Sequence, residues 1–243
     1  MTFLIAAAGT GGHVFPGLAV GQALLSLGVN NDEIIFVGGD RLEATVYPDA
    51  GFRFVGLELA GLKRSFTVAN LRIPWVVMRA RQTIATEIEE SNVRAVLGMG
   101  GYVTIPAGLA ARSHRVPMFC AEQNAEAGLA NRIAARWARQ TFVSFPDTVG
   151  LPSGIWVGNP VREPFWGFDR SGLRKEALSH FDLDDDRPVV GVFGGSLGAR
   201  TINQAVAEMV VGWTGDAVAV VHLTGKSHLE EMSQLTAVED VTW

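Results

Sequence analysis

The chain has 243 residues, 48% of them hydrophobic and 19% charged, with a formal net charge of −5. This composition fits a globular protein of one or two domains and excludes a nucleic-acid binder that relies on overall positive charge. The single cysteine, Cys120, excludes an intrachain disulfide and a cysteine-rich zinc site, and fits a reducing compartment.

The first predicted element is the apolar run from Phe3 to Ala8. It ends in small residues, as a secretory signal does, but no Lys or Arg precedes Arg41, so the basic start of such a signal is missing and a buried strand is the better reading. The run breaks at Gly9. A helix is predicted from Pro16 to Leu27, with proline in its first turn and Gly28 ending it. Glu33 to Val37 reads as a second buried strand, closed by Gly38-Gly39. Then come a helix over 71–90 with Pro74 near its start, a strand over 94–97 ending in Gly98-Met99-Gly100-Gly101, and a helix over 106–114. A strand over 116–121, a helix over 128–138, and strands over 141–145 and 155–157 complete the series. Strands alternating with helices imply an α/β fold, a parallel sheet covered on both faces.

The segment from Gly158 to Pro164 reads as a linker, since its two prolines oppose regular structure. A second series follows: a strand over 188–193, the loop Gly194-Gly195-Ser196-Leu197-Gly198, a helix over 200–211, a strand over 217–223, a helix over 227–235 and the start of a strand at Val241. The expected division is therefore an N-terminal domain over 1–161 and a C-terminal domain over 162–243. The second is shorter than the usual domain of about 100–150 residues. It is expected to be incomplete, with a sheet edge and apolar faces uncovered.

A strand, a glycine loop and a helix thus open each series, which suggests two Rossmann-like domains in tandem with ligands at the carboxyl ends of the strands and a cleft between the domains. A glycine turn feeding a helix presents free N–H groups and partial positive charge, suited to a phosphate. Gly9-Thr10-Gly11-Gly12-His13-Val14 is one such turn. It fails the dinucleotide fingerprint, whose third glycine is replaced by Val14, so Asp40 is not taken as a ribose-binding acid. His13 places a titratable ring where a ligand would approach. Gly101 and Tyr102 sit in a second glycine loop on the same sheet edge, although Tyr102 also suits the core. Glu122, Gln123 and Asn124 follow a strand, and Asn124 also suits a helix cap. Asp184-Asp185-Asp186 precedes a strand and reads as a solvated turn, Gly225-Lys226-Ser227 lacks the earlier glycine of a P-loop, and the five histidines show no zinc spacing. No apolar run of about 18 residues is present. Residues 62–82 mix Leu62, Phe66, Trp75 and Met78 with Lys63, Arg64, Arg72, Arg79 and Arg81, which suits an anionic membrane surface and equally an ordinary packed helix.

Five ordered blocks, Gly9 to Ala19, Leu97 to Val103, Glu122-Gln123-Asn124 with Ala127-Gly128-Leu129, Gly158 to Arg162, and Gly194 to Ala199, together resemble the MurG family of bacterial glycosyltransferases. The resemblance runs from Met1 to about residue 228. It implies a GT-B fold with two Rossmann-like domains and parallel sheets. It implies inverting transfer of N-acetylglucosamine from UDP-N-acetylglucosamine to lipid I, giving lipid II for peptidoglycan, by a peripheral protein on the cytoplasmic face of the inner membrane. Thr10, Gly11, Gly12, Gly101, Tyr102, Glu122 and Asn124 are then expected at the acceptor. Asn124, Arg162, Gly195, Ser196 and Gly198 are expected at the donor UDP. His13 is the candidate base, or else a contact to the acceptor diphosphate. The helix after Ser196 would stabilise departing UDP, so no tightly bound metal or other cofactor is expected, nor is a nucleic-acid partner.

Two departures matter. Many family members carry histidine where this chain has Ala121. The family's later segment, with a glutamate for the donor ribose, has no counterpart here. The chain is expected to be truncated, and, if it ends at Trp243, to be inactive alone; the alternative is a non-catalytic module that binds lipid I or the membrane.

Overall fold

The computed structural model describes residues 1–58, 73–195 and 198–243. The chain forms two compact units, Met1–Trp166 and Gly167–Trp243, taken in turn below.

The first unit contains β1 (Thr2–Ala6), α1 (Gly11–Ser26), β2 (Ile34–Gly38), α2 (Glu43–Asp49), β3 (Arg53–Gly56), α3 (Ile73–Glu90), β4 (Val93–Gly98), α4 (Thr104–Ser113), β5 (Met118–Glu122), α5 (Leu129–Ala134), β6 (Gln140–Val143) and β7 (Ile155–Trp156). The strands form one parallel sheet in the order β3-β2-β1-β4-β5-β6-β7. The order reverses between β1 and β4. The carboxyl ends of the strands at such a reversal are the usual ligand position in parallel sheets. β2 is buried along its whole length, as expected of a central parallel strand.

Side chains alternate between two cores. Leu4, Val96, Ile84 and Ala107 fill one side of the sheet beneath α3 and α4. Ile5, Phe36, Leu18 and Tyr47 fill the other beneath α1 and α2. Tyr47 stacks on Phe36 with ring centroids 4.0 Å apart, and its hydroxyl donates to the Val14 carbonyl at 3.1 Å. Gly21 admits this packing, because a Cβ there would lie 2.7 Å from the Phe36 ring. Arg53 on β3 pairs with the buried Glu87 of α3 at 2.9 Å, tying the sheet edge to that helix.

α1 begins earlier than Pro16. The Thr10 carbonyl accepts from both His13 and Val14, so the first turn already closes over the glycines. Pro16 therefore lies in the second turn, where its missing N–H leaves the Gly12 carbonyl without the usual helical donor. Two short elements, α2 and β3, occupy a stretch for which the sequence suggested none. α5 starts after Gly128, so Asn124 is not its cap. Of the basic and aromatic stretch over 62–82, residues 62–72 lie outside the described residues. The remainder is the start of α3, which packs inward through Ala80 and Ile84 while Trp75 and Met78 are exposed. Among the described residues, no helix is long and apolar enough to cross a membrane.

The second unit holds α6 (Arg170–His180), β8 (Val189–Phe193), α7 (Arg200–Gly212), β9 (Val218–Leu223), α8 (Leu229–Ser233) and β10 (Val241–Thr242). Its parallel sheet has the order β10-β9-β8. α6 was not foreseen. It is capped by Asp169, whose carboxylate accepts from the Ser171 amide at 3.0 Å. Val206, Val210, Val218 and Val220 form a small core, and β8 leaves Val190 and Phe193 exposed. Asp184-Asp185-Asp186 is a solvated turn, with Arg174 on Asp185 and Arg187 on Asp186.

Replacing Tyr47 by Phe removes one buried hydrogen bond and keeps the stacked ring. Unfolding free energy should fall by about 1 kcal/mol in chemical denaturation.

Candidate active site

The loop after β1 and the loop after β4 meet at the strand-order reversal. The Met99 amide donates to the Ala6 carbonyl at 2.8 Å, which sets the two loops side by side. Gly101 lies so close that a Cβ would stand 2.6 Å from the Ala8 carbonyl, and its φ of +73° is the left-handed region that glycine tolerates. Gly100, at φ +94°, packs against His13, where a Cβ would fall 2.9 Å from Nε2. His13, on the first turn of α1, is thus seated on the second glycine loop, and its Nδ1 is 3.2 Å from Thr10 Oγ1. Because Thr10 uses its hydroxyl this way, it makes no side-chain cap to α1. Gly11 and Gly12 begin that helix, and the first amides of a helix carry partial positive charge.

Tyr102 is half-buried. Burial first, and then the negative charge of Glu43, push its phenol up to about 12, with Asp40 acting the same way and Arg41 opposing. Its hydroxyl is 3.5 Å from Glu43 Oε1. Glu43 is fully buried and also accepts from the Gly39 amide at 3.0 Å and the Gly9 amide at 3.3 Å. Sequence reasoning missed Glu43. Its only signal was a carboxylate a few residues beyond Gly38-Gly39.

Glu122 ends β5 and is 2% exposed. Its Oε1 accepts from the Asn124 amide at 3.0 Å and from Asn124 Nδ2 at 2.8 Å. Its Oε2 accepts from the Gly128 amide at 3.0 Å and from Asn131 Nδ2 at 2.9 Å. The sequence reading placed Glu122 at the acceptor and did not foresee these bonds within its own loop. Four donors from its own chain occupy the carboxylate, which folds the loop 123–128 over the end of the sheet. Asn131, unforeseen and buried, also donates to the Ala121 carbonyl, and its Nδ2 would lie 3.4 Å from a Cβ at Gly100. Glu122 is thereby linked to the loop on which His13 rests. Arg162 lies over the Phe15 ring of α1 at 4.7 Å and over Phe165 at 5.6 Å. A guanidinium held between two rings keeps its N–H edge available.

In the second unit, the glycine loop joins β8 to α7. Gly198 has φ +76°, and a Cβ there would stand 1.9 Å from the Thr224 carbonyl at the end of β9. Asn203 of α7 donates to the same carbonyl at 2.9 Å, so the loop is clamped onto the neighbouring strand end. Gly195, at φ +86°, faces open space. Ser196 lies outside the described residues.

Residues 3–143 match the glycosyltransferase family 28 N-terminal domain, and residues 189–242 match its C-terminal domain. The chain belongs to glycosyltransferase family 28. This family 28 chain is 41% identical over 230 residues to a relative from Acidithiobacillus ferrooxidans and 39% identical over 227 residues to one from Mycolicibacterium vanbaalenii. Both are named UDP-N-acetylglucosamine–N-acetylmuramyl-(pentapeptide) pyrophosphoryl-undecaprenol N-acetylglucosamine transferase. The alignments take in 93% and 91% of the family 28 chain but 61% and 56% of the relatives, so the chain spans well under two thirds of their length. The crystal structure of MurG from Acinetobacter baumannii superposes with a TM-score of 0.70 at 25% identity, over 100% of the chain and 65% of that structure. A UDP-GlcNAc 2-epimerase from Neisseria meningitidis shares the fold, with a TM-score of 0.63 at 13% identity over 100% of the chain and 71% of that structure.

Two outcomes test this arrangement. Glu122→Ala strands four donors and should cost more than about 3 kcal/mol in chemical denaturation, with Glu122→Gln intermediate because one acceptor oxygen remains. Burial raises Tyr47 as well as Tyr102, so neither of the chain's two tyrosines should ionise in the folded protein at pH 10.5. Because their folded pKa values exceed the unfolded value of about 10, the stability they contribute is complete below that pH and is lost as pH rises through the folded values. Tyrosinate absorbance during an alkaline titration should therefore appear later than in the denatured chain.

Proposed function

We propose that the protein transfers N-acetylglucosamine from UDP-N-acetylglucosamine to lipid I, with inversion, as a peripheral protein on the cytoplasmic face of the bacterial inner membrane. The observation that carries this reading is the seating of His13 on Gly100, between two glycine loops at the strand-order reversal. The names of the relatives supply the substrates.

In this reading the acceptor pyrophosphate takes the Gly11 and Gly12 amides at the start of α1, a helix terminus that favours an anion. His13 is the general base. A neutral imidazole with its lone pair on Nε2 carries its proton on Nδ1, where Thr10 Oγ1 accepts it. Nε2 takes the proton of the acceptor C4 hydroxyl as that oxygen bonds to the anomeric carbon. The bond from that carbon to the UDP oxygen breaks, and UDP leaves with the electron pair. In the second unit the start of α7, with Gly195 and Gly198, binds the UDP phosphates and stabilises the charge that develops on them. Arg162, stacked on Phe15, and Asn124 are the further donor contacts in this reading. Exposed Trp75 and Met78 beside Arg79 on α3 supply an amphipathic contact for the membrane surface.

The test is transfer of labelled N-acetylglucosamine to a short-chain lipid I analogue. His13→Ala should lower kcat roughly 10²- to 10⁴-fold with a smaller change in either KM, as loss of a general base does. An unchanged kcat would leave His13 a binding residue only.

A further inference from the structure

Gly38-Gly39 and Glu43 remain without a role in the reading above, and the geometry joins them. Glu43 is fully buried, and its carboxylate touches three of the loops at the carboxyl edge of the sheet. Oε2 holds the Gly9 amide after β1 at 3.3 Å. Oε1 holds the Gly39 amide after β2 at 3.0 Å and lies 3.5 Å from the Tyr102 hydroxyl in the loop after β4. The glycines make room for it. A Cβ at Gly38 would stand 2.8 Å from Glu43 Cγ, and one at Gly39 would stand 2.7 Å from the Tyr102 hydroxyl and 3.0 Å from Glu43 Oε1. An ionised carboxylate is the side chain that can accept from two backbone amides and a phenol together, because it carries acceptors only. Burying it also turns the Gly9 amide inward. In the proposed reading the helix-terminal amides of Gly11 and Gly12 are the donors to the ligand.

We infer that Glu43 is a positioning residue of the acceptor site: through Gly9 and Tyr102 it fixes the spacing of the two glycine loops between which the acceptor pyrophosphate is held. This inference rests on the proposed acceptor reading. Glu43 does not touch substrate. Removing its charge lets the loop after β1 and the loop after β4 move independently, and the loss falls on acceptor binding and not on the donor, whose loop belongs to the other unit. Asp40 and Arg41, on the same loop as Gly39, are the other charged groups acting on Tyr102.

The experiment compares Glu43→Gln and Gly39→Ala with wild type in the labelled transfer assay. A glutamine amide offers one acceptor oxygen and sets an NH2 against a backbone N–H. Gly39→Ala wedges Tyr102 away from an intact carboxylate. Both variants should raise KM for the lipid I analogue roughly tenfold, the equivalent of one charge-assisted hydrogen bond, with KM for UDP-N-acetylglucosamine unchanged within about twofold. A second readout is spectroscopic. In a Tyr47→Phe background, where Tyr102 is the only tyrosine, Glu43→Gln should move the onset of tyrosinate absorbance to lower pH, which general loosening of a distant core would not do selectively. A wild type that transfers sugar, with both variants keeping wild-type KM for the acceptor, overturns the inference. Wild-type protein of the relatives' full length that transfers no sugar sinks the proposed function itself. Should Glu43→Gln fail to fold, Gly39→Ala decides by the same KM comparison.

Discussion

The close approach of the loops after β1 and β4 is the constraint on which the rest depends. Parallel strands must be joined by crossovers of one hand. A sheet that grows in both directions from its middle therefore has one place where the strand order reverses. Here that place is lined by backbone, because Gly100 and Gly101 have no side chains to keep His13 and the Ala8 carbonyl away. The chemistry assigned to this site needs a base, a helix terminus and exposed amides within a few ångströms. Only a glycine-rich contact brings all three together.

Two buried carboxylates hold loops at this edge of the sheet, and they do so in the same way. Glu43 gathers amides from the loops after β1 and β2, and Glu122 gathers amides and side-chain N–H groups from the loop after β5. Neither has an arginine or lysine partner among the described residues. Backbone N–H groups do the work of counter-charge, each bond stronger than a neutral one because the acceptor is ionised. Charge buried in this fashion costs desolvation that an apolar residue would avoid. What is gained is a fixed geometry for loops that have few side chains of their own. The same economy appears in the second unit without any charge, where Asn203 and Gly198 converge on a single carbonyl.

Much of this was legible in the sequence, for identifiable reasons. The apolar runs of β1, β2 and β9 and the glycines that close them gave the strands and the parallel class. The five ordered blocks gave the family. What escaped were elements too short or too mixed to carry a period. α2 is seven residues with a proline inside, and β3 is four residues with its ends exposed. α6 is a mostly exposed helix whose only buried residue is Leu178, so it has little apolar stripe to read. The start of α1 was placed late because Pro16 looked like a first-turn residue, whereas Thr10 had already begun the helix. Glu122 was read as a ligand contact because polar residues at a strand end suggest one. Its four partners come from residues two to nine positions further along the chain, which no local pattern reveals. Glu43 and Tyr102, separated by 59 positions, are brought together by strand order alone.

The glycine at position 198 has a bearing on how variants of this protein are to be interpreted. With the Thr224 carbonyl 1.9 Å from where any side chain would begin, even alanine displaces the turn. A loss of activity traced to this codon would say nothing about contact with nucleotide. It would report that one strand end and one turn share a space too narrow for a methyl group, so saturation mutagenesis there measures clearance, whereas at the neighbouring Gly195, which faces open space, it measures backbone torsion.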